Sequence, residues 1–154
     1  MKLTEKETLL LKDLKTQEQL CIDKYAKYAS EASDKNLKEL FKSIGKVEEG
    51  HFNTIQKIQN GETVQLKSSS KQAQKTPTAK LISTVSGKAK EKDSFLCQDA
   101  LTTEKQVASA YNTSIFEFAQ PKLRNILNHI QKEEQEHGLR LYEYMAQNQM
   151  YQAK

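Results

Sequence analysis

Four segments of the chain place apolar residues at alternating spacings of four and three residues. This spacing keeps a stripe of side chains on one face of an α-helix, where it can contact a partner helix. The clearest stripes are Leu37, Phe41, Ile44, Glu48, His51, Ile55 and Ile58 in the second segment and Leu123, Leu127, Ile130, Glu134, His137, Leu141 and Tyr144 in the fourth. Four such helices in a chain of 154 residues predict an all-α, four-helix bundle.

Capping signals indicate where the helices begin. Thr4 and Glu7 have the spacing of a capping box, Asp34 is a favoured N-cap residue, and Pro121 suits a first helical turn. With Asp93 as a further start signal, we predict helices over about residues 4–32, 34–59, 93–119 and 121–149, in one domain spanning residues 1–154. Short turns would make each half of the chain an antiparallel hairpin, and residues 61–92 would form a long crossover.

Charge is concentrated in the predicted crossover. The formal net charge is +4, but residues 61–92 hold seven Lys and two Glu, so the rest of the chain carries −1. We therefore expect no nucleic-acid partner, and the Lys-rich crossover is either a solvated linker or a surface for an acidic partner. Because the longest apolar run is three leucines and no signal-peptide core is visible near Met1, we also expect neither a membrane span nor secretion.

The two halves of the chain form an internal repeat with a shift of 86 residues. The shift superimposes Glu18 on Glu104, Tyr25 on Tyr111, Glu48 on Glu134 and His51 on His137. Within each Glu-x-x-His pair the two side chains are neighbours on one helix face. In each half a further glutamate, Glu18 or Glu104, lies 30 residues before the glutamate of the pair, and we call these two residues the outer glutamates. We therefore predict two equivalent hairpins related by a pseudo-two-fold axis.

Six polar side chains in these core stripes predict a di-metal centre. They are Glu18, Glu48, His51, Glu104, Glu134 and His137. Burying four carboxylates together is costly unless cations or protons compensate their charge, and two divalent ions would do so. Carboxylate and imidazole ligands suit Fe first and Mn second, and Zn or Co could occupy the same donors. One hypothesis gives each ion one His, one outer Glu from helix 1 or 3, and a share of two bridging Glu from helices 2 and 4.

Other polar residues near the stripes have simpler interpretations beside functional ones. Tyr25 and Tyr111 lie two turns after the outer glutamates, where core packing with a hydroxyl–carboxylate hydrogen bond competes with a redox role. Cys21 and Cys97 are predicted to be small buried hydrophobes, although a bridge between them stays open if helices 1 and 3 are antiparallel. His129 is off the stripe and is expected to face solvent.

Over nearly its whole length, the chain resembles the ferritin-like superfamily in its paired Glu-x-x-His motifs and long crossover. The resemblance implies an up-down-down-up bundle with a di-metal carboxylate centre at mid-height. A narrower resemblance, to spore coat protein F-type proteins, rests mainly on residues 3–58, with the segments LTEKETLLLKDL (3–14), LKELF (37–41) and HFNTI (51–55). It implies a role in or near the bacterial spore coat, either in the coat or in the mother-cell cytoplasm.

These features favour a di-iron or di-manganese protein that reacts with O₂ or peroxide, with peroxidase-, catalase- or ferroxidase-like oxidoreductase chemistry. A first alternative is a non-enzymatic coat component with a vestigial or structural metal site. A second is an iron-handling protein. The expected partners are a small-molecule oxidant or other coat proteins, and a homodimer would suit a bundle of this size.

Overall fold

A computed structural model describes residues 2–66 and 82–152 of the chain. Within these ranges there are four α-helices and no β-strand: α1 Glu5–Glu31, α2 Lys35–Gln59, α3 Gly87–Glu117 and α4 Pro121–Gln147. The predicted all-α fold is confirmed, and α1, α2 and α4 begin and end within two residues of their predicted bounds. The prediction for the start of the third helix, at residue 93, is wrong by six residues.

The helix α3 begins early because Asp93 is not its N-cap. The Asp93 carboxylate is fully buried and accepts hydrogen bonds from the backbone N–H groups of Ser33 and Asp34, at 2.7 and 2.8 Å, in the turn between α1 and α2. The N-cap of α3 is instead Ser86, whose side chain makes no capping hydrogen bond. It is followed by Gly87 at a φ of 57°, a left-handed backbone conformation that favours glycine.

The connection between α2 and α3 is therefore shorter than predicted and covers residues 60–86. Three lysines that the sequence assigned to the crossover lie in the first two turns of α3 instead: Lys88, Lys90 and Lys92. The other four, Lys67, Lys71, Lys75 and Lys80, lie outside the described residues.

The helices form an up-down-down-up bundle. The most extensive contacts join α1 to α2 and α3 to α4, and α1 also packs on α3. The helices α1 and α3 run antiparallel. Lys6 at the start of α1 pairs with Glu117 at the end of α3, and Tyr28 near the end of α1 donates to Asp99 in the first half of α3. Residues 60–86 therefore connect opposite ends of the bundle.

Asp34 joins several elements at one end of this bundle. Its carboxylate caps α2 by accepting from the Leu37 backbone N–H at 3.1 Å, and it also accepts from the Tyr144 hydroxyl in α4 at 2.9 Å. The backbone N–H and hydroxyl of Thr84 donate to it at 3.2 Å each. Because Asp34 is fully buried, these donors take the place of water around its charge.

The other buried side chains of the described residues are mostly apolar, apart from a polar cluster at mid-height and single polar residues such as Glu7, Ser114 and Asn148. Cys21 and Cys97 are buried free thiols, which confirms their predicted burial and leaves no bridge between them. None of the helices in the described ranges is long and apolar enough to cross a membrane.

Replacement of Asp34 by alanine should destabilise the bundle strongly. The substitution removes the α2 cap and leaves the buried Tyr144 hydroxyl without its acceptor, so we expect a loss of about 2–4 kcal/mol in the free energy of unfolding. Urea denaturation followed by circular dichroism measures the loss. The exposed Asp13→Ala variant is the matched control and should change stability by less than about 0.5 kcal/mol. Equal stabilities of the two variants would contradict the role assigned to Asp34.

Candidate metal centre

Six polar side chains meet inside the bundle at mid-height. They come from the middle of all four helices: Glu18 on α1, Glu48 and His51 on α2, Glu104 on α3, and Glu134 and His137 on α4. None of these six residues is more than 3% exposed. These are the six residues that the sequence predicts to lie together, and the structure brings all of them into one cluster.

The cluster consists of two overlapping groups of four residues. One contains Glu18, Glu48, His51 and Glu134, and the other contains Glu48, Glu104, Glu134 and His137. Within each group, one ligand atom from every residue lies within 4.8 Å of the others. The two glutamates of α2 and α4 belong to both groups, so each group has one His and one Glu of its own and two Glu that it shares.

The contacts of the two imidazoles are reciprocal. Nδ1 of His51 lies 3.0 Å from Glu48 Oε2 and 3.1 Å from Glu134 Oε1. Nδ1 of His137 lies 3.1 Å from Glu48 Oε1 and 3.3 Å from Glu134 Oε2. The outer glutamates are slightly farther away, with Glu18 Oε2 at 3.7 Å from His51 Nδ1 and Glu104 Oε2 at 3.6 Å from His137 Nδ1. Both imidazoles therefore direct Nδ1 toward the carboxylates.

Two buried tyrosines connect the outer glutamates across the bundle. The Tyr25 hydroxyl on α1 donates to Glu104 on α3, and the Tyr111 hydroxyl on α3 donates to Glu18 on α1. Each outer glutamate is thus held by a tyrosine from the opposite hairpin. One of its two oxygens accepts this hydrogen bond, and the other faces the imidazole of its own group.

Several ligand atoms have no hydrogen-bond partner among the described residues. They are Glu18 Oε2, Glu48 Oε1, Glu104 Oε2, both side-chain oxygens of Glu134 and Nδ1 of His137. Some lie close to one another, as the distances above show, but without hydrogen-bond geometry. A buried polar atom without a partner costs about 1–3 kcal/mol, so a concentration of them in one cluster calls for a compensating ion or proton.

In the absence of metal, protons can balance the charge of the cluster. Burial raises the pKa of Glu18 and Glu104, so these carboxyls hold their protons at neutral pH. Burial also opposes ionisation of Glu48, but the contacts with both imidazoles outweigh it and lower its pKa. The pKa of Glu134 is likewise lowered. Two inner carboxylates then face two imidazoliums, because the carboxylates raise the pKa of both histidines despite their burial.

Residues 92–154, which include most of α3 and all of α4, match the family model of the Coat F domain. The predicted resemblance to spore coat protein F-type proteins is thereby confirmed, although its motifs were taken mainly from residues 3–58 and the match lies in the second hairpin. No curated protein and no solved structure gives a significant match to the chain.

The Coat F domain match indicates a spore coat protein, and it contains only half of the cluster. Glu104, Glu134 and His137 lie within it, whereas the other three members of the cluster are supplied by α1 and α2. The four-helix, up-down-down-up arrangement is consistent with the ferritin-like superfamily.

Sequence reasoning missed one residue beside the cluster. The Glu133 carboxylate lies 2.8 Å from Nε2 of His51, and its other oxygen lies 3.5 Å from Nε2 of His129. His129, expected to face solvent, has a side chain that is 36% exposed and contacts this carboxylate. Glu133 precedes Glu134 directly, but the repeat places Val47 at the equivalent position, so a search for repeated polar residues passes over it.

The metal-free protein should lose stability as pH rises above about 5. Glu18 and Glu104 have pKa values of about 8 and about 9 in the folded state, so folding retains protons that the unfolded chain releases above its ordinary carboxyl pKa. His137, with a folded-state pKa of about 11, acts in the same direction above the ordinary imidazole pKa. Below about pH 4.5 the sign reverses. The pKa values of Glu48 and Glu134 are lowered in the folded state, so the unfolded chain binds protons at these residues that the folded chain does not, and stability falls with further acidification.

Urea midpoints measured in the presence of a chelator, from about pH 5 to pH 9, test this expectation. The Glu18→Gln/Glu104→Gln double variant stays neutral at both positions, so its midpoint should fall less steeply over the same range. A wild-type midpoint that rises between pH 5 and pH 9 would contradict the assigned protonation states.

Proposed function

We propose that the chain is a di-metal protein of spore coat F type, in which the six clustered side chains hold two divalent ions, Fe first and Mn second. The observation that carries the proposal is the pair of overlapping donor groups, each with an imidazole Nδ1 and three carboxylates, buried together with unpaired oxygens. Carboxylate and imidazole donors fit these metals. The reciprocal contacts of the two halves also support the internal repeat inferred from the sequence.

Each ion would be held by Nδ1 of one histidine, by one outer glutamate and by the two inner glutamates that both groups share. The tyrosines would hold the outer glutamates in place: Tyr25 orients Glu104 and Tyr111 orients Glu18. Because four carboxylates with neutral imidazoles carry a charge of about −4, two divalent ions would balance the cluster as completely as protons do.

For activity, we propose that the loaded protein reacts with O₂ or peroxide. Fe or Mn bound in pairs can supply one-electron changes between the +2 and +3 states. The chain itself contributes fixed donors and the exclusion of bulk water, since no residue of the cluster is more than 3% exposed. The two tyrosine hydroxyls donate hydrogen bonds to the outer glutamates from outside the ligand set.

A structural metal site in a non-enzymatic coat component is the second candidate. The same low exposure favours it, because an oxidant must reach a cluster that is at most 3% exposed. The Coat F domain match favours a coat role without indicating any reaction. Iron handling by a ferroxidase is a third candidate, which would consume Fe(II) in excess of the resident ions.

Metal content tests the proposal directly. Protein refolded with Fe(II) or Mn(II) under anaerobic conditions and then desalted should hold about two ions per chain by elemental analysis, because the two donor groups are equivalent in composition. At an ion concentration about 100 times the dissociation constant, linkage predicts about 2.7 kcal/mol of stabilisation, or roughly 5–10 °C in Tm. Fewer than about one ion per chain, with an unchanged Tm, would overturn the proposal.

The Glu48→Ala/Glu134→Ala double variant should abolish this binding, because it removes the carboxylates that belong to both groups. Glu49→Ala/Glu136→Ala is the matched control, since both of these neighbours are exposed. Its metal content should equal that of the wild type. Peroxide or O₂ consumption by the loaded wild type, absent from the double variant, supports the reactive centre. Full metal content without consumption supports the structural site instead.

A further inference from the structure

The two imidazoles of the cluster differ on the side that faces away from it. Nε2 of His51 contacts the Glu133 carboxylate at 2.8 Å, and this carboxylate also contacts His129 at 3.5 Å. Glu133 is half-buried, with a side chain that is 32% exposed. His51 is therefore held between inner carboxylates at Nδ1 and a separate carboxylate at Nε2.

Within residues 2–66 and 82–152, His137 has no such carboxylate at Nε2. Among the described residues, the carboxylates within 4.0 Å of His137 are those of Glu48, Glu104 and Glu134, and all of them lie on its Nδ1 side. The repeat places Val47 where Glu133 would be needed, and Val47 is half-buried as well. The two histidines therefore have equivalent contacts at Nδ1, but they differ in their contacts at Nε2.

A carboxylate on the far nitrogen of a metal-binding imidazole has two effects. It keeps the proton on Nε2, so that Nδ1 presents its lone pair to the metal, and it makes that lone pair more basic. Loss of such a partner typically weakens metal binding by about 10–100-fold. Only one side of this cluster has the partner.

We infer that Glu133 is a positioning residue for His51 and makes the two metal positions unequal, with the ion at Glu18 and His51 bound more tightly than the ion at Glu104 and His137. The inference rests on the proposed function, because it assigns unequal affinities to the two ions of that site. The Glu133 carboxylate itself touches no metal position. It acts only through the orientation and basicity of the imidazole.

Titration with Zn(II), a diamagnetic probe of the same donor set, tests the inference in the full-length protein. Calorimetry of the wild type should resolve two affinities that differ by about 10–100-fold. ¹⁵N spectra of the imidazoles should change at Nδ1 of His51 with the first equivalent and at His137 with the second. The Glu133→Val variant gives His51 the neighbour that His137 already has, so its two affinities should converge.

Three further variants separate positioning from charge and from general damage. Glu133→Gln keeps an oxygen that can accept from Nε2–H, so it should retain more of the affinity difference than Glu133→Val does. The exposed Glu136→Gln removes a charge three residues away and should leave both affinities unchanged. Val47→Glu supplies the missing partner to His137 and should strengthen the weaker position.

The metal-free protein provides a readout that does not depend on binding. The Nε2–H signal of His51 should be protected from exchange with water relative to that of His137, and Glu133→Val should abolish the protection. Two equal Zn(II) affinities in the wild type, or no change in Glu133→Val, would overturn the inference and leave the metal centre standing. No Zn(II) binding, with the protected signal present, would instead overturn the proposed function and with it the unequal affinities.

Discussion

The burial of four carboxylates at mid-height is the constraint on which the rest of the bundle depends. An isolated carboxylate in a protein interior is costly, and four together repel one another as well. Each helix nevertheless contributes such a side chain from its middle, and two helices add a histidine one turn away. The apolar stripes above and below must therefore supply much of the packing that holds the four carboxylates together, since the carboxylates do not attract one another.

Contacts between the two hairpins hold the buried carboxylates in place. The inner glutamates face both histidines, and the tyrosines of α1 and α3 each bond to the outer glutamate of the other helix. The end of the bundle is tied by a second set of buried carboxylates, in which Asp93 holds the turn before α2 and Asp34 reaches α4. At this end of the bundle, charged groups that are costly alone accept hydrogen bonds from several elements.

Much of this arrangement could be predicted from the sequence, because periodicity decides which residues face the core. The alternating spacing placed Glu48 and His51 on the same stripe as Ile44 and Ile55, and the repeat indicated their counterparts. The start of α3 could not be predicted in the same way. Asp93 has the local signal of an N-cap, but its partners are backbone groups about 60 residues away, and no local pattern reports them.

Two features of the cluster were also beyond sequence reasoning. Spacing predicted that Tyr25 faces the core and that its hydroxyl bonds to a glutamate, which is confirmed, but the choice of Glu104 depends on which helices are neighbours across the bundle. Glu133 was missed for a different reason, since the repeat that identified the six clustered residues has a valine at the equivalent position. The repeat identifies residues that both halves of the chain share, so it does not identify Glu133, which is present in one half only.

Because either protons or metal ions can balance the charge of the cluster, folding and metal binding need not occur together. Protonated outer glutamates and charged imidazoles make the metal-free core neutral, so folding does not have to wait for an ion. Under the proposed function, a newly made chain then reaches its compact form first and takes up the two proposed ions later. Metal binding in that proposal is an exchange of cations for protons in a folded core, and it depends on the metal concentration and on the pH of the surroundings.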